Sequence, residues 1–236
     1  MIVIGIETST PQTSVAIGRE DRVIASTAIA GGRTHHEALT PALEHLLKWT
    51  KTSISSAGGV AVGIGPGLFT GLRVGIETGK TLAQVLGVPI VGLASLDVLA
   101  FSVRFTRRLI AAVIDAKRSE VFFCLYRAVP GGVARQGEFE VGSPDRLLAE
   151  LDAHAEDVLL VGDGAMLYRR EIEKLGGRVE FASPAFAHPH AGALVELSVP
   201  RFEREEFDRV FDVMPLYLRK SDAELNWDRR AGAGQA

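Results

Sequence analysis

The sequence predicts an α/β fold built from two similar units, each a β-sheet covered by helices. Short apolar runs bounded by turn residues alternate with segments of helical periodicity, which is the pattern of a layered α/β protein. The same order of elements, several strands and then helices alternating with strands, begins again after residue 103. We therefore expect one unit at residues 1–103, a second at 104–230 and a disordered tail at 231–236.

The elements of the first unit follow from apolar runs and capping signals. Thr34 followed by Glu37 is a capping box that starts a helix, and a second helix is expected from Ser95. The predicted strands lie at residues 2–6, 14–17, 23–29, 60–64 and 89–93.

The second unit is read in the same way. Its predicted strands lie at residues 109–114, 120–126, 138–141, 158–161 and 213–218. Its predicted helices lie at residues 144–151, 166–175 and 190–205.

Composition limits the possible functions. The chain has 236 residues, of which 47% are hydrophobic and 23% charged, so it can bury a large core. Its net charge of −3 argues against a protein that grips nucleic acid unaided. The single Cys124 lies in an apolar run, which excludes a disulfide framework and suits a reducing compartment. Since no leader or membrane-spanning stretch is recognisable, we expect a cytoplasmic protein without membrane contact.

The segment GIGPGLFTGLRVGIETGKTLAQVLG, residues 63–87, differs most from an ordinary fold. A Gly-Pro-Gly turn leads into a helix with glycine at every fourth position, although each glycine costs a helix about 1 kcal/mol relative to alanine. Residues 75–81 end in Gly-Lys-Thr, but the spacing is one residue too short for a phosphate loop and the segment is mid-helix. Close packing is therefore the expected reason for the glycines.

Three turns combine glycines or polar groups in a way that suits an anion or a nucleotide. Backbone amides at a helix start bind anions, and glycine lets a ligand approach the backbone. The alternative is that these groups satisfy their own turns. The candidate contacts are Glu7, Thr8 and Ser9 in the first hairpin, Gly65 and Gly67 before the glycine-rich helix, and Gly162 and Gly164 after a strand of the second unit.

Other chemistry finds little support in the residues. The histidines do not form a paired ligand set, so no metal site is predicted. There is no Gly-x-Ser-x-Gly elbow, and Cys124 in its apolar strand should remain a thiol. The residues alone therefore predict no catalytic group.

Five segments together resemble one known family. They are MIVIGIETST, RTHHEALTPALEHLL, GIGPGLFTGLRVGIETGKTLA, VIDAKRSEVFFCLY and MPLYLRKSDAELNW. In this order and spacing they resemble the TsaB (YeaZ) family of tRNA threonylcarbamoyladenosine biosynthesis proteins, over nearly the whole chain. The resemblance implies a duplicated actin-like, Hsp70-like (ASKHA) fold, in agreement with the repeated element order.

The resemblance also implies a non-catalytic role. It implies a subunit that binds and activates TsaD, with the ATPase TsaE, for transfer of a threonylcarbamoyl group onto adenosine 37 of tRNAs. The two histidine metal ligands of TsaD correspond to Ser95 and Leu99, which cannot replace imidazoles. We therefore expect no metal and no enzyme activity, tRNA contact only through the complex, and ATP or ADP, if any, at the complex interface.

The same resemblance indicates where the partner binds. In TsaB-like proteins the helices after the first sheet meet TsaD, or a second copy of the chain when it is alone. Small residues let two helices approach closely, so glycines of the glycine-rich helix are assigned to this interface. Because steps of four overshoot a turn by about 40°, some glycines should instead pack internally. The predicted interface residues are Leu39, Leu43, Gly71, Leu72, Arg73 and Gly75.

Two enzyme functions remain as alternatives. One is a nucleotide-dependent kinase or hydrolase of the same fold with Glu7 as its polar anchor, and the other is a metal-dependent peptidase homologue. ATP turnover that is lost on Glu7→Gln would support the first, and stoichiometric metal in the purified protein would support the second.

Overall fold

The first half of the chain forms a five-stranded mixed sheet. The structure is a computed structural model that describes residues 1–19, 22–31 and 34–219. The strands are β1 (Ile2–Glu7), β2 (Gln12–Arg19), β3 (Arg22–Ala30), β4 (Ala57–Gly65) and β5 (Ile90–Ala94). Their order in the sheet is β3-β2-β1-β4-β5. Strands β1, β2 and β3 pair antiparallel, whereas β4 and β5 continue the sheet parallel to β1.

The second sheet repeats this topology. Its strands are β6 (Leu109–Lys117), β7 (Glu120–Val129), β8 (Gly132–Arg135), β9 (Glu140–Gly142), β10 (Val158–Val161) and β11 (Val179–Phe181). The order is β11-β10-β6-β7-β8, with β9 paired to β7. An antiparallel β6-β7-β8 meander is again followed by strands parallel to its first member. This repetition confirms the predicted duplicated actin-like fold.

Seven α-helices cover the sheets within the described residues. They are α1 (His35–Trp49), α2 (Phe69–Leu86), α3 (Ser95–Ser102), α4 (Pro144–His154), α5 (Asp163–Leu167), α6 (Arg169–Ile172) and α7 (Ala191–Glu203). The predicted capping box forms, because the Thr34 backbone amide donates to Glu37 Oε2 at 2.9 Å. None of these helices is long and apolar enough to cross a membrane.

Both faces of the first sheet are buried. Ile4 and Ile6 of β1 pack with α1 and α2, whereas Val3 points to the other face and packs with Leu194 and Val195 of α7. Helix α7 lies within the predicted second unit, residues 104–230, but packs on the first sheet, and the division into two units stays a prediction. Residues 220–230 and the predicted tail at 231–236 are outside the described residues.

The last part of the chain departs most from the predicted elements. The helix expected at residues 166–175 is divided into α5, α6 and the 3-10 helix Glu173–Arg178. The strand expected at residues 213–218 does not form, since this segment follows the 3-10 helix Val210–Asp212 as irregular backbone. The short strand β11 was not predicted.

Candidate functional site

Glu7, at the end of β1, is a buried carboxyl group held by neutral donors. Glu7 is only 1% exposed to solvent. The Ser9 amide donates to Oε1 at 2.7 Å, and the Ser95 hydroxyl donates to Oε2 at 2.9 Å. A Cβ at residue 63 would lie 2.0 Å from Oε2, so glycine is required there to make room for the carboxyl group. Burial raises the pKa of Glu7, with these hydrogen bonds opposing the rise.

Ser95 therefore has a structural use at the position where the resemblance places a histidine ligand of TsaD. Its hydroxyl is fully buried and engaged with Glu7. Leu99, at the other ligand position, is fully buried in the core. Among the described residues, no three His, Cys, Asp or Glu side chains gather as a metal site would require.

The Gly-Pro-Gly loop packs on the same β1–β2 turn. The Leu68 amide, just before α2, donates to the Ser9 carbonyl at 2.7 Å, and a Cβ at Gly67 would lie 2.2 Å from that oxygen. Gly65 has a φ of +98°, which favours glycine. The predicted anion contacts of the first hairpin and of the Gly-Pro-Gly loop thus come together, but at least part of their hydrogen-bonding capacity is used within the turn. Binding of an anion here stays a prediction.

Gly71 and Gly75 of α2 face this turn as well. A Cβ at Gly71 would lie 2.1 Å from the Thr8 carbonyl oxygen, and one at Gly75 would lie 2.2 Å from Thr8 Oγ1. The Thr8 hydroxyl donates to the Gly71 carbonyl at 2.8 Å. The chain's own first hairpin therefore fills the open sides of both glycines, and their assignment to a partner interface stays a prediction.

The three predicted interface leucines are also buried in the free chain. Leu72 is fully buried, and Leu39 and Leu43 of α1 are at most 5% exposed. All three belong to the core between the first sheet and its helices. They hold α1 and α2 on the sheet, and their contact with a partner stays a prediction. Among the predicted interface residues only Arg73 is exposed.

The solvent side of α2 carries a compact cluster that we call the α2 outer patch: Phe69, Arg73 and Tyr217. The Arg73 guanidinium lies 4.0 Å from the Phe69 ring centroid, and its Nε donates to the Tyr217 hydroxyl at 3.1 Å. The Phe69 and Tyr217 rings stack with centroids 5.0 Å apart. Phe69 is 36% exposed and Tyr217 42%. Cation–π contact and stacking hold an exposed, largely aromatic surface in place.

Sequence reasoning missed two members of this patch. The i, i+4 spacing of Phe69 and Arg73 could have indicated their contact on a helix face. Tyr217 gave no such signal, because it is 144 residues away in sequence and was assigned to a strand.

Gly162 and Gly164 also have a packing role. A Cβ at Gly162 would lie 2.0 Å from the Val113 carbonyl oxygen, and one at Gly164 would lie 2.9 Å from the backbone of Ile114. The two glycines thus let the start of α5 lie directly on β6. Contact of a nucleotide with them stays a prediction.

Asp163, which lies between these glycines, has a strongly raised pKa. Its Oδ1 accepts a hydrogen bond from the Asp115 amide at 3.0 Å, and burial raises its pKa to about 6. Asp115 forms an ion pair with Lys117. His188 Nδ1 lies 3.9 Å from Asp163 Oδ2, and burial lowers the pKa of His188. This cluster joins β6, α5 and the loop before α7.

These features define an actin-like protein whose first hairpin packs against Ser95 and the glycines of α2, and whose helix α2 presents an aromatic, cationic surface. A family model described as "TsaD: tRNA N6-adenosine threonylcarbamoyltransferase" matches residues 23–227. TsaB from Bacillus subtilis, a tRNA threonylcarbamoyladenosine biosynthesis protein, is 32% identical over 234 residues, which are 96% of this chain and 98% of that relative. TsaB from Escherichia coli is 27% identical, with 98% of this chain and 99% of that relative covered.

Solved structures agree with these relatives. YeaZ from Pseudomonas aeruginosa superposes with a TM-score of 0.79 at 29% identity, covering 92% of this chain and 99% of YeaZ. The chain belongs to the TsaB (YeaZ) family of tRNA threonylcarbamoyladenosine biosynthesis proteins.

Proposed function

We propose that this protein is a non-catalytic subunit of tRNA threonylcarbamoyladenosine biosynthesis that binds TsaD and raises its activity together with TsaE. Family membership supports the pathway. The observation that carries the proposal is the α2 outer patch, an exposed and ordered surface on a helix that the resemblance assigns to the partner interface.

The residue types of the patch suit protein binding. Aromatic residues and arginine dominate the binding energy of protein interfaces. Here the Arg73 side chain is already held by Phe69 and Tyr217, so docking immobilises less side-chain freedom than it would for a free arginine. Met214 and Phe211, which are 64% and 76% exposed, add apolar surface on the segment that carries Tyr217.

The interface is therefore proposed on the outer side of α2 and not on its glycines. Gly71 and Gly75 contribute indirectly, because they let α2 lie close to the first hairpin and so fix where the patch stands. The same patch serves a homodimer when the chain is alone, and TsaD then competes with the second copy for it by mass action.

The kinase or hydrolase alternative requires a usable polar anchor. Both Glu7 carboxyl oxygens are taken by neutral donors inside the protein, which gives Glu7 a structural role. Cys124 is no better as a nucleophile, since burial raises its thiol pKa to about 11. We assign no resident cofactor to the chain. Contact with tRNA and with ATP or ADP belongs to the assembled complex, in the cytoplasm.

Calorimetric titration of TsaD with this chain tests the proposal. Arg73→Glu should weaken binding at least about tenfold, the effect of losing about 1.4 kcal/mol. Arg169→Glu is the matched control, because Arg169 also lies over an aromatic ring, 4.5 Å from the Phe181 centroid, but on the second sheet's side. Equal affinity of the Arg73 variant and the wild type would remove the patch from the interface. No heat of binding with wild-type chain would refute the proposed function.

A further inference from the structure

A short segment after α7 spans the two halves of the protein. We call residues 213–219 the C-terminal strap. It begins on the first sheet, where Val213 is 4% exposed and belongs to the core beneath α2. The Leu216 amide then donates to the Ile64 carbonyl in β4 at 2.7 Å.

The other end of the strap is attached to the second sheet. Leu218 packs against the core formed by α3, β6 and β7. Arg219 Nη2 donates to the Ala116 carbonyl at 3.0 Å, and Nη1 contacts the Glu120 carboxylate. Ala116 and Glu120 bracket the turn between β6 and β7.

Tyr217 stands between these two attachments. It contacts Phe69 and Arg73 of α2, while the next residue, Leu218, enters the second core. Three consecutive residues, 217 to 219, therefore contact the α2 outer patch, the second core and the β6–β7 turn. A displacement of Tyr217 along the strap has to move one of the other contacts, because adjacent Cα atoms are about 3.8 Å apart.

The β6–β7 turn has an unusual backbone. Lys117, Arg118 and Ser119 have φ values of 62°, 57° and 59°, so three successive non-glycine residues are left-handed. Such backbone persists only where surrounding contacts hold it. The Lys117 amide donates to Asp115 Oδ1 at 2.8 Å, and Arg219 binds both sides of the turn. The strap thus supplies some of the contacts that hold this turn, and the turn should be sensitive to their loss.

We propose that the C-terminal strap couples the α2 outer patch to the β6–β7 turn, with Arg219 as the positioning residue that holds Tyr217 in the patch. Docking of a partner on α2 then alters the β6–β7 turn in the second sheet. By linkage, a change at this turn alters the affinity for the partner by the same coupling free energy. The partner side of this inference rests on the proposed function, whereas the coupling inside the free chain does not. It also gives two of the five family-like segments, VIDAKRSEVFFCLY and MPLYLRKSDAELNW, a shared contact.

Hydrogen exchange followed by mass spectrometry on the free chain tests the coupling. Tyr217→Phe removes the hydroxyl that Arg73 uses, and Tyr217→Ala removes the ring. The alanine variant should speed amide exchange in residues 116–121 at least about fivefold, and the phenylalanine variant by less. Arg219→Ala should in turn speed exchange in the first turn of α2, although the Arg219 hydrogen bonds are to Ala116 and Glu120 of the second sheet.

Arg127→Ala is the matched control for Arg219→Ala. Arg127 also pairs with a glutamate, Glu156, at 2.6 and 2.8 Å, but at the far end of β7. Arg127→Ala should leave amide exchange in α2 unchanged. If each strap variant alters exchange only on its own side of the strap, the coupling is refuted. Arg219→Lys, which keeps the charge but not the two-sided contact, separates coupling from global unfolding, since its melting temperature should stay near that of the wild type.

The second arm measures TsaD affinity. Arg219→Ala should weaken binding about tenfold although Arg219 is not in the patch, and Arg127→Ala should not. Unchanged affinity for Arg219→Ala would overturn the positioning role. If wild-type chain fails to bind TsaD, the proposed function fails, and the exchange experiment still decides the coupling.

Discussion

Replacing Gly71 by alanine should destabilise the fold and not merely impair partner binding. The added Cβ would lie 2.1 Å from the Thr8 carbonyl oxygen, well inside van der Waals contact. The obstacle is a backbone atom in the turn between β1 and β2, so it cannot rotate away as a flexible side chain could. Either α2 or the hairpin must shift, which strains the hydrogen bond from Thr8 Oγ1 to the Gly71 carbonyl.

The size of the effect follows from two opposing terms. Overpacking a well-filled site costs about 1–3 kcal/mol, and a backbone clash of this depth belongs at the upper end. Alanine in place of glycine recovers about 1 kcal/mol of helix propensity. The net loss is therefore about 2 kcal/mol, which lowers Tm by about 4–8 °C in a protein of this size.

Urea and thermal unfolding of purified variants measure this loss. Gly192→Ala in α7 is the matched control, because it is also a helical glycine but the nearest atom to its added Cβ is 3.8 Å away. It should stabilise the protein by about 0.4–1 kcal/mol. A Gly71 variant as stable as the wild type, together with a stabilised Gly192 variant, would refute the internal packing of α2 and return Gly71 to the surface.

Three further predictions concern buried groups. Asp163→Asn should raise Tm relative to wild type, and the difference should grow as pH rises from 4 to 7. The folded-state pKa of Asp163 is about 6, above the ordinary 3.8, so the wild type loses stability as this carboxyl group ionises across that window. A pH-independent difference would contradict the burial of its charge. Glu7→Gln should likewise raise Tm relative to wild type above pH 4.5, because burial raises the pKa of Glu7 too. Purified wild-type chain should show no ATP turnover that depends on Glu7. Cys124 should resist a thiol reagent at pH 8 until urea unfolds the protein, as expected for a buried thiol with a pKa of about 11, and rapid labelling of folded protein would contradict this.

Most of the first sheet could be predicted from local pattern. Apolar runs and the Thr34–Glu37 capping box depend on neighbours in sequence, so β1 to β5 and the start of α1 were found. The repeated element order similarly predicted the duplication. Local pattern failed where long-range contacts determine the backbone conformation. Residues 213–218 were predicted as a strand, but a hydrogen bond to Ile64 and contacts with two cores hold them as irregular backbone.

The candidate site shows the same division. The sequence indicated that the glycines of α2 serve close packing, and the resemblance assigned Gly71 and Gly75 to a partner. Helical periodicity alone cannot tell which partner fills a small-residue face, and here Thr8 of the chain itself fills it. Arg73 was predicted in the interface, whereas Tyr217 entered the patch only through the fold.

The rate of threonylcarbamoyladenosine formation by TsaD and TsaE, measured on tRNA against increasing concentrations of this chain, tests the central claim most directly. A contact subunit should give a saturable increase, and Arg73→Glu should raise the half-saturating concentration at least about tenfold while leaving the maximal rate unchanged. Full activity without the chain, or a variant that lowers the maximal rate at unchanged half-saturation, would contradict the account.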